Sequence, residues 1–230
     1  MLTWPDANSG VMISTASDIY NSLLSFSTLG ETSICHLHKP CDGHPLCKTA
    51  SVAPVVDFDY IEKKLATGSR STMPSCDGVT LNNDHSVFCF VEIKGWEKFV
   101  SYNIADTVSP SEGDRTKVDE QVARYDLKEK LMNSINDCEV ITGERDLFPR
   151  IPYAYVIVTD INSEKEAIKD FAANLSSLAE TASVWTYCDE KMKEILNEVD
   201  IAVKKVYAHC REFDAVISKI STQMNTIKHK

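Results

Sequence analysis

Spacing between apolar positions changes several times along the chain, and each change predicts an element. Ile19, Leu23, Leu24 and Phe26 fall at helical intervals within residues 15–30, and Phe58, Ile61 and Leu65 do so within a short helix from Val55 to Leu65 that Gly68 ends. After the turn-rich SRSTMPS, the pattern shifts to that of strands over Asp77–Leu81 and Ser86–Lys94. Asn82, Asn83 and Asp84 join them, which predicts a hairpin. A polar loop from Asn103 to Arg115 leads into Lys117–Asn136, where Val118, Val122, Tyr125, Leu127, Leu131 and Ile135 predict one helix. IPYAYVIVTD, bounded by Pro and Asp, predicts a strand buried on both faces and parallel to a neighbour. Residues 163–181 predict another helix, SVWTY a last strand, and Asp189 to about Ile227 a very long helix. This order predicts an α/β fold around a mixed sheet flanked by helices.

The last stretch has a pattern of its own. Met192, Leu196, Val199, Val203, Val206, Cys210, Phe213, Ile217, Ile220, Met224 and Ile227 alternate steps of four and three, the seam of a heptad helix. At 1.5 Å per residue such a helix would run about 55 Å, longer than a domain of this size needs. The second half is then expected to meet a second copy or a partner protein. The predicted organisation is residues 1–54 as an N-terminal helix and Cys/His loop, 55–188 as a core, and 189–230 as a C-terminal helix for oligomer or partner contact.

Composition narrows the class. The 230 residues are 43% hydrophobic and 25% charged with 8 Gly and 8 Pro, which excludes a disordered or collagenous chain. No stretch has 18 consecutive apolar residues and the first 30 residues lack a basic n-region, so neither a membrane span nor secretion is expected. A cytoplasmic location is the expectation, with Cys76, Cys89, Cys138, Cys188 and Cys210 reduced. Net charge is −10, yet residues 201–230 carry six Lys or Arg against Glu212 and Asp214. A nucleic-acid substrate would need metal ions or a partner to offset the acidic remainder.

Chemistry is concentrated at the end of the predicted hairpin. An antiparallel turn at 82–84 brings Asp77 to the same end of the sheet as Glu92 and Lys94. Residues two apart on a strand share a face, so Glu92 and Lys94 emerge together beside a second carboxylate. Two carboxylates and the backbone carbonyl between them suit Mg²⁺, a hard cation that takes oxygen ligands and keeps several waters. An acid-x-Lys triplet occurs four times in the chain, but the other three lie in predicted helices, where i and i+2 do not face each other. The alternative is a noncatalytic scaffold in which Glu92 and Lys94 form a structural ion pair.

MPSCDGVTL followed by FCFVEIKG resembles the PD-(D/E)xK nuclease superfamily, which has the restriction-endonuclease-like fold. The resemblance covers about residues 55–160 and departs from the pattern at Pro74-Ser-Cys-Asp77, where proline and aspartate would be adjacent. It implies a metal-dependent nuclease acting on DNA in preference to RNA, as an oligomer or as a subunit of a defence or repair complex. By position, Asp77 and Glu92 would hold Mg²⁺ or Mn²⁺, the Ile93 carbonyl would add a ligand, and Lys94 would position a water. Glu62, in FDYIEKKL, matches the acidic residue that the superfamily often adds from a preceding helix. Gln121 and Tyr125 match a pair four apart in the branch related to bacterial recombination exonucleases, and would touch substrate or support the lysine. The 103–115 loop, with Asp106, Glu112 and Asp114, is expected to border the site.

One motif stands apart. CHLHKPCDGHPLC places Cys35, His36, His38, Cys41, His44 and Cys47 within thirteen residues. Thiolate and imidazole suit a structural Zn²⁺, which would make this loop a zinc-dependent binding module; the C-x5-C-x5-C spacing matches no zinc-finger pattern, and the alternative is a reduced, partly buried cysteine loop.

Overall fold

The computed structural model describes residues 13–37, 51–67, 70–161 and 183–221. Its centre is a five-stranded mixed sheet in the order β1 (Val56–Asp57), β2 (Gly78–Leu81), β3 (Phe88–Lys94), β4 (Tyr153–Thr159) and β5 (Lys204–His209). The first three strands pair antiparallel and the last three parallel. The hairpin is closed by Asn82, whose Oδ1 accepts from the amides of Ser86 and Val87, each at 2.9 Å. Its Nδ2 donates to the Ile220 carbonyl at 2.8 Å, tying the turn to the C-terminal region.

Both faces of β3 and β4 are buried, as their unbroken apolar runs require of parallel strands. One face carries Phe88, Phe90 and Tyr155 under α1 (Ala16–Ser27), α3 (Phe58–Leu65), α5 (Glu112–Val122), α6 (Leu127–Thr142) and α7 (Val184–Glu198). The other carries Cys89, Val91 and Val156 against Ile34 of α2 (Ile34–Leu37) and Phe213 and Ile217 of α8 (Phe213–Lys219). A short α4 (Glu97–Asn103) follows β3, and the Asp160 carboxylate accepts from the Trp96 and Glu97 amides at its start.

Five expectations are corrected. The Val55–Leu65 helix begins only at Phe58, because Asp57 accepts from the Tyr60 amide as its cap and Val56–Asp57 pair with β2. The single helix over 117–136 is two, α5 and α6. Buried Val118, Val122, Leu127 and Leu131 step by four, five and four, and the five-residue step breaks the helical phase. The 103–115 loop gives way to α5 at Glu112, where Ser111 and Asp114 form a reciprocal capping box.

The largest correction is C-terminal. SVWTY is the start of α7, capped by Ser183, and the predicted 189–227 helix ends at Glu198. Buried Val184, Cys188, Met192 and Leu196 recur every fourth residue while Thr186, Glu190 and Glu194 midway between them are not buried, which fits a helix face and not a strand, where residues two apart share a side. After Val199 turns extended, the β-branched stretch that follows enters the sheet as β5, parallel to β4. As far as it is described, the heptad seam is therefore divided among helix, strand and helix, with Met224 and Ile227 outside the described residues, and the sheet extends past residue 188. The predicted helix over 163–181 lies outside the described residues. Among those described, no helix is long and apolar enough to cross a membrane, and six cysteines are free.

Candidate active site

The last pair of the β2–β3 ladder is Gly78↔Val91. One step beyond it Asp77 stands opposite Glu92, and directly opposed residues of an antiparallel pair share a face. Asp77 is held from both sides. Its carbonyl accepts from the Phe58 amide at 3.1 Å, and its Oδ2 accepts from the Ile93 amide at 2.5 Å. Glu92 is fully buried, and its Oε1 is ion-paired with Lys94 Nζ. Lys94 in turn lies over the Tyr125 ring, 4.4 Å from its centroid, and Gln121 Nε2 donates to the Tyr125 hydroxyl at 3.1 Å. Asp77, Glu92, Ile93, Lys94, Tyr125 and Gln121 thus form one contiguous group.

Two further residues belong to it. Lys130 of α6 places its Nζ 2.6 Å from Glu92 Oε1 and 4.0 Å from Asp77 Oδ1. Asp59 of α3 is near enough to Asp77 for their charges to raise its carboxyl, an effect second only to burial. The sequence held a signal for Lys130: Lys130, Ser134 and Asp137 make a polar stripe at i, i+4 and i+7 beside buried Leu131 and Cys138. Ser134 and Asp137 are themselves buried, and Ser134 Oγ accepts from the Cys76 amide at 2.9 Å. Asp59, by contrast, looks like an ordinary first-turn helix carboxylate.

Glu62 is engaged elsewhere. Its Oε1 accepts from the Met73 amide at 2.6 Å and its Oε2 from Arg70 at 2.9 Å, while Arg70 also donates to Asp137 at 2.6 Å. Of the acidic residues expected to border the site, Asp114 is an α5 cap residue that also pairs with Lys117, and Asp106 accepts from the Val108 and Ser109 amides.

Burial and the facing negative charge of Glu92 push the Asp77 carboxyl up to about 6, against the pull of Lys130 and Lys94. Lys130 sits above its ordinary value: burial alone would lower it, and the charges of Glu92 and Asp77 outweigh that. The sign of the pH dependence follows. An acid raised from 3.8 to about 6 on folding holds its proton more tightly folded, so it favours the folded state at low pH and less so as pH rises between those values. In EDTA, wild type is therefore expected to lose stability relative to Asp77→Asn between about pH 4 and pH 6. Urea denaturation of both proteins across that range checks it, and parallel curves would contradict it.

The same sheet end continues sideways. Lys94 pairs with Thr159 and Thr159 with His209, so the three share a row at the carboxyl ends of the parallel strands. Asp189 of α7 accepts from the Tyr207 hydroxyl at 2.6 Å and faces His209 Nε2 at 3.0 Å, and Tyr207 meets Thr159 at 3.1 Å. Burial would raise the Asp189 carboxyl, but its hydrogen bonds with His209, Lys193 and Tyr207 hold it well below the usual range. Sequence reasoning missed this row because it assigned Asp189, Tyr207 and His209 to one helix.

Among the described residues no group of three or more His, Cys, Asp and Glu side chains is arranged to hold a metal ion. The two-carboxylate set fits a cation on a different observation. Glu92 Oε2 is buried without a hydrogen-bond partner among the described residues, and a buried carboxylate oxygen left so is a place for a cation. His38, Cys41, His44 and Cys47, expected to bind zinc with Cys35, lie outside the described residues. Comparison with known families, characterised proteins and solved structures finds no match for this chain. What fold and site define is thus a class, an α/β protein with a carboxylate–lysine cluster at one end of a mixed sheet.

Proposed function

We propose that the chain is a metal-dependent nuclease of the PD-(D/E)xK type, with a restriction-endonuclease-like core, hydrolysing DNA in preference to RNA. The observation that carries this reading is the meeting of Glu92, Lys94 and Asp77 around shared oxygens and Lys130. Asp77, Glu92 and the Ile93 carbonyl would hold Mg²⁺ or Mn²⁺. When bound, the ion would lower the pKa of a water and offset charge on a phosphoryl oxygen. Lys94 orients the attacking water, and the Tyr125 ring, itself fixed by Gln121, holds the lysine on that side of Glu92. The acidic net charge favours work as an oligomer or beside a partner that supplies basic surface.

The second reading is a noncatalytic scaffold, and one observation favours it: two lysines already neutralise Glu92. An assay on plasmid, linear and single-stranded DNA and on RNA, with Mg²⁺, Mn²⁺ or EDTA, separates the two. Cleavage that needs metal and is about 10²-fold slower in Lys94→Met is the expected result. No cleavage of any polymer, together with no Mn²⁺ bound at Asp77 and Glu92, would overturn the nuclease in favour of the scaffold.

A further inference from the structure

We infer that Lys130 is a resident cation that competes with the metal for Asp77 and Glu92, so that metal binding must displace its ammonium from the site; this rests on the metal reading above. Lys130 Nζ lies 2.6 Å from Glu92 Oε1 and 4.0 Å from Asp77 Oδ1, between the two carboxylates that would share a cation. Lys94 already neutralises the same Glu92 oxygen from its own strand, so the second ammonium exceeds what a single buried carboxylate needs. The excess is explained once Asp77 and Glu92 are counted together as a pair whose mutual repulsion needs a positive charge between them.

Lys130 also has the anatomy of a removable occupant. Its side chain is 22% exposed while Glu92 is closed off, so the ammonium has a way out to water and the carboxylate has none. The helix that bears it need not move. Ser134, one turn on, is fixed to the Cys76 amide next to Asp77, and Leu131 is fully buried, so release is a rotation of the lysine side chain alone. Two states result: one with Lys130 on the carboxylates, compact and without metal, and one with a divalent cation there and Lys130 swung to solvent. Each cation excludes the other from the one site, so the apparent metal affinity falls by the fraction of molecules in which Lys130 has left it.

The test uses Mn²⁺ alone, without nucleic acid, on the full chain. Free Mn²⁺ followed by electron paramagnetic resonance is expected to show binding about tenfold tighter in Lys130→Met than in wild type. In wild type, acylation of Lys130 by an amine reagent, normalised to exposed Lys128, is expected to rise when Mn²⁺ is added; this needs no variant to fold. Equal or weaker binding in Lys130→Met, or unchanged labelling of Lys130 in Mn²⁺-saturated wild type, overturns the competition and leaves the metal site standing. Absence of Mn²⁺ binding in both proteins overturns the metal reading and the competition together.

Discussion

Glu92→Gln is expected to lower metal-dependent cleavage about 10³-fold and to cost about 3 kcal/mol of stability. Both effects come from the burial of this one carboxylate, which is fully enclosed and neutralises Lys94 and Lys130 at once. Glutamine keeps the shape but removes the charge, which leaves two ammonium groups facing each other in a site that hides most of both side chains. Breaking a buried pair from one side is far more destabilising than losing an exposed one. Asp77→Asn gives a useful contrast, since Asp77 is a quarter exposed and its removal relieves repulsion with Glu92. That variant is expected to lose cleavage without the stability loss. Urea denaturation beside the cleavage assay reads both quantities; a Glu92→Gln protein that cuts at the wild-type rate would remove Glu92 from the catalytic group.

The contrast between these two carboxylates bears on what the sequence could reveal. FCFVEIK and the turn residues before it specify a hairpin, and the hairpin fixes Asp77 opposite Glu92, so this part of the site was legible from local pattern alone. Gln121 and Tyr125 were legible as an i, i+4 pair, although the helix that holds Gln121 stops before Tyr125. Lys130 was legible only as part of a polar stripe on α6, with no sign of which strand that stripe would meet, and Asp59 was not legible at all, because an aspartate in a helix's first turn says nothing of the strand it will lie against. The C-terminal third failed for another reason. Val199, Val203 and Val206 satisfy a heptad as well as a β-branched strand, and short apolar runs do not tell helix from strand by period. Parallel pairing with β4 decided it, a long-range contact that no window of sequence contains. With that strand misplaced, the row Lys94, Thr159, His209 could not be seen either.

Gly78 connects packing to the site most directly, and Gly78→Val is expected to cost about 3 kcal/mol and to slow cleavage about 10²-fold. A Cβ at this position would lie 2.6 Å from Val55 Cγ1, 2.7 Å from Leu37 Cδ1 and 3.3 Å from the Val56 carbonyl oxygen. Val55 is fully buried and bridged to Thr32, and Val56 is paired with β2 itself, so neither can retreat without parting the sheet. The strain must instead move β2, and the residue next to Gly78 is Asp77. A shift of the strand end pulls Asp77 Oδ2 from the Ile93 amide and its other oxygen from Lys130. Gly78→Ala, with fewer added atoms, is expected to show the same two losses in smaller measure, and the loss of cleavage is expected to track the loss of stability across the pair. Thermal melts and single-turnover cleavage of wild type, Gly78→Ala and Gly78→Val test this. A Gly78→Val protein that melts lower but cuts at the full rate would show that Asp77 is not tied to the sheet edge that positions it here.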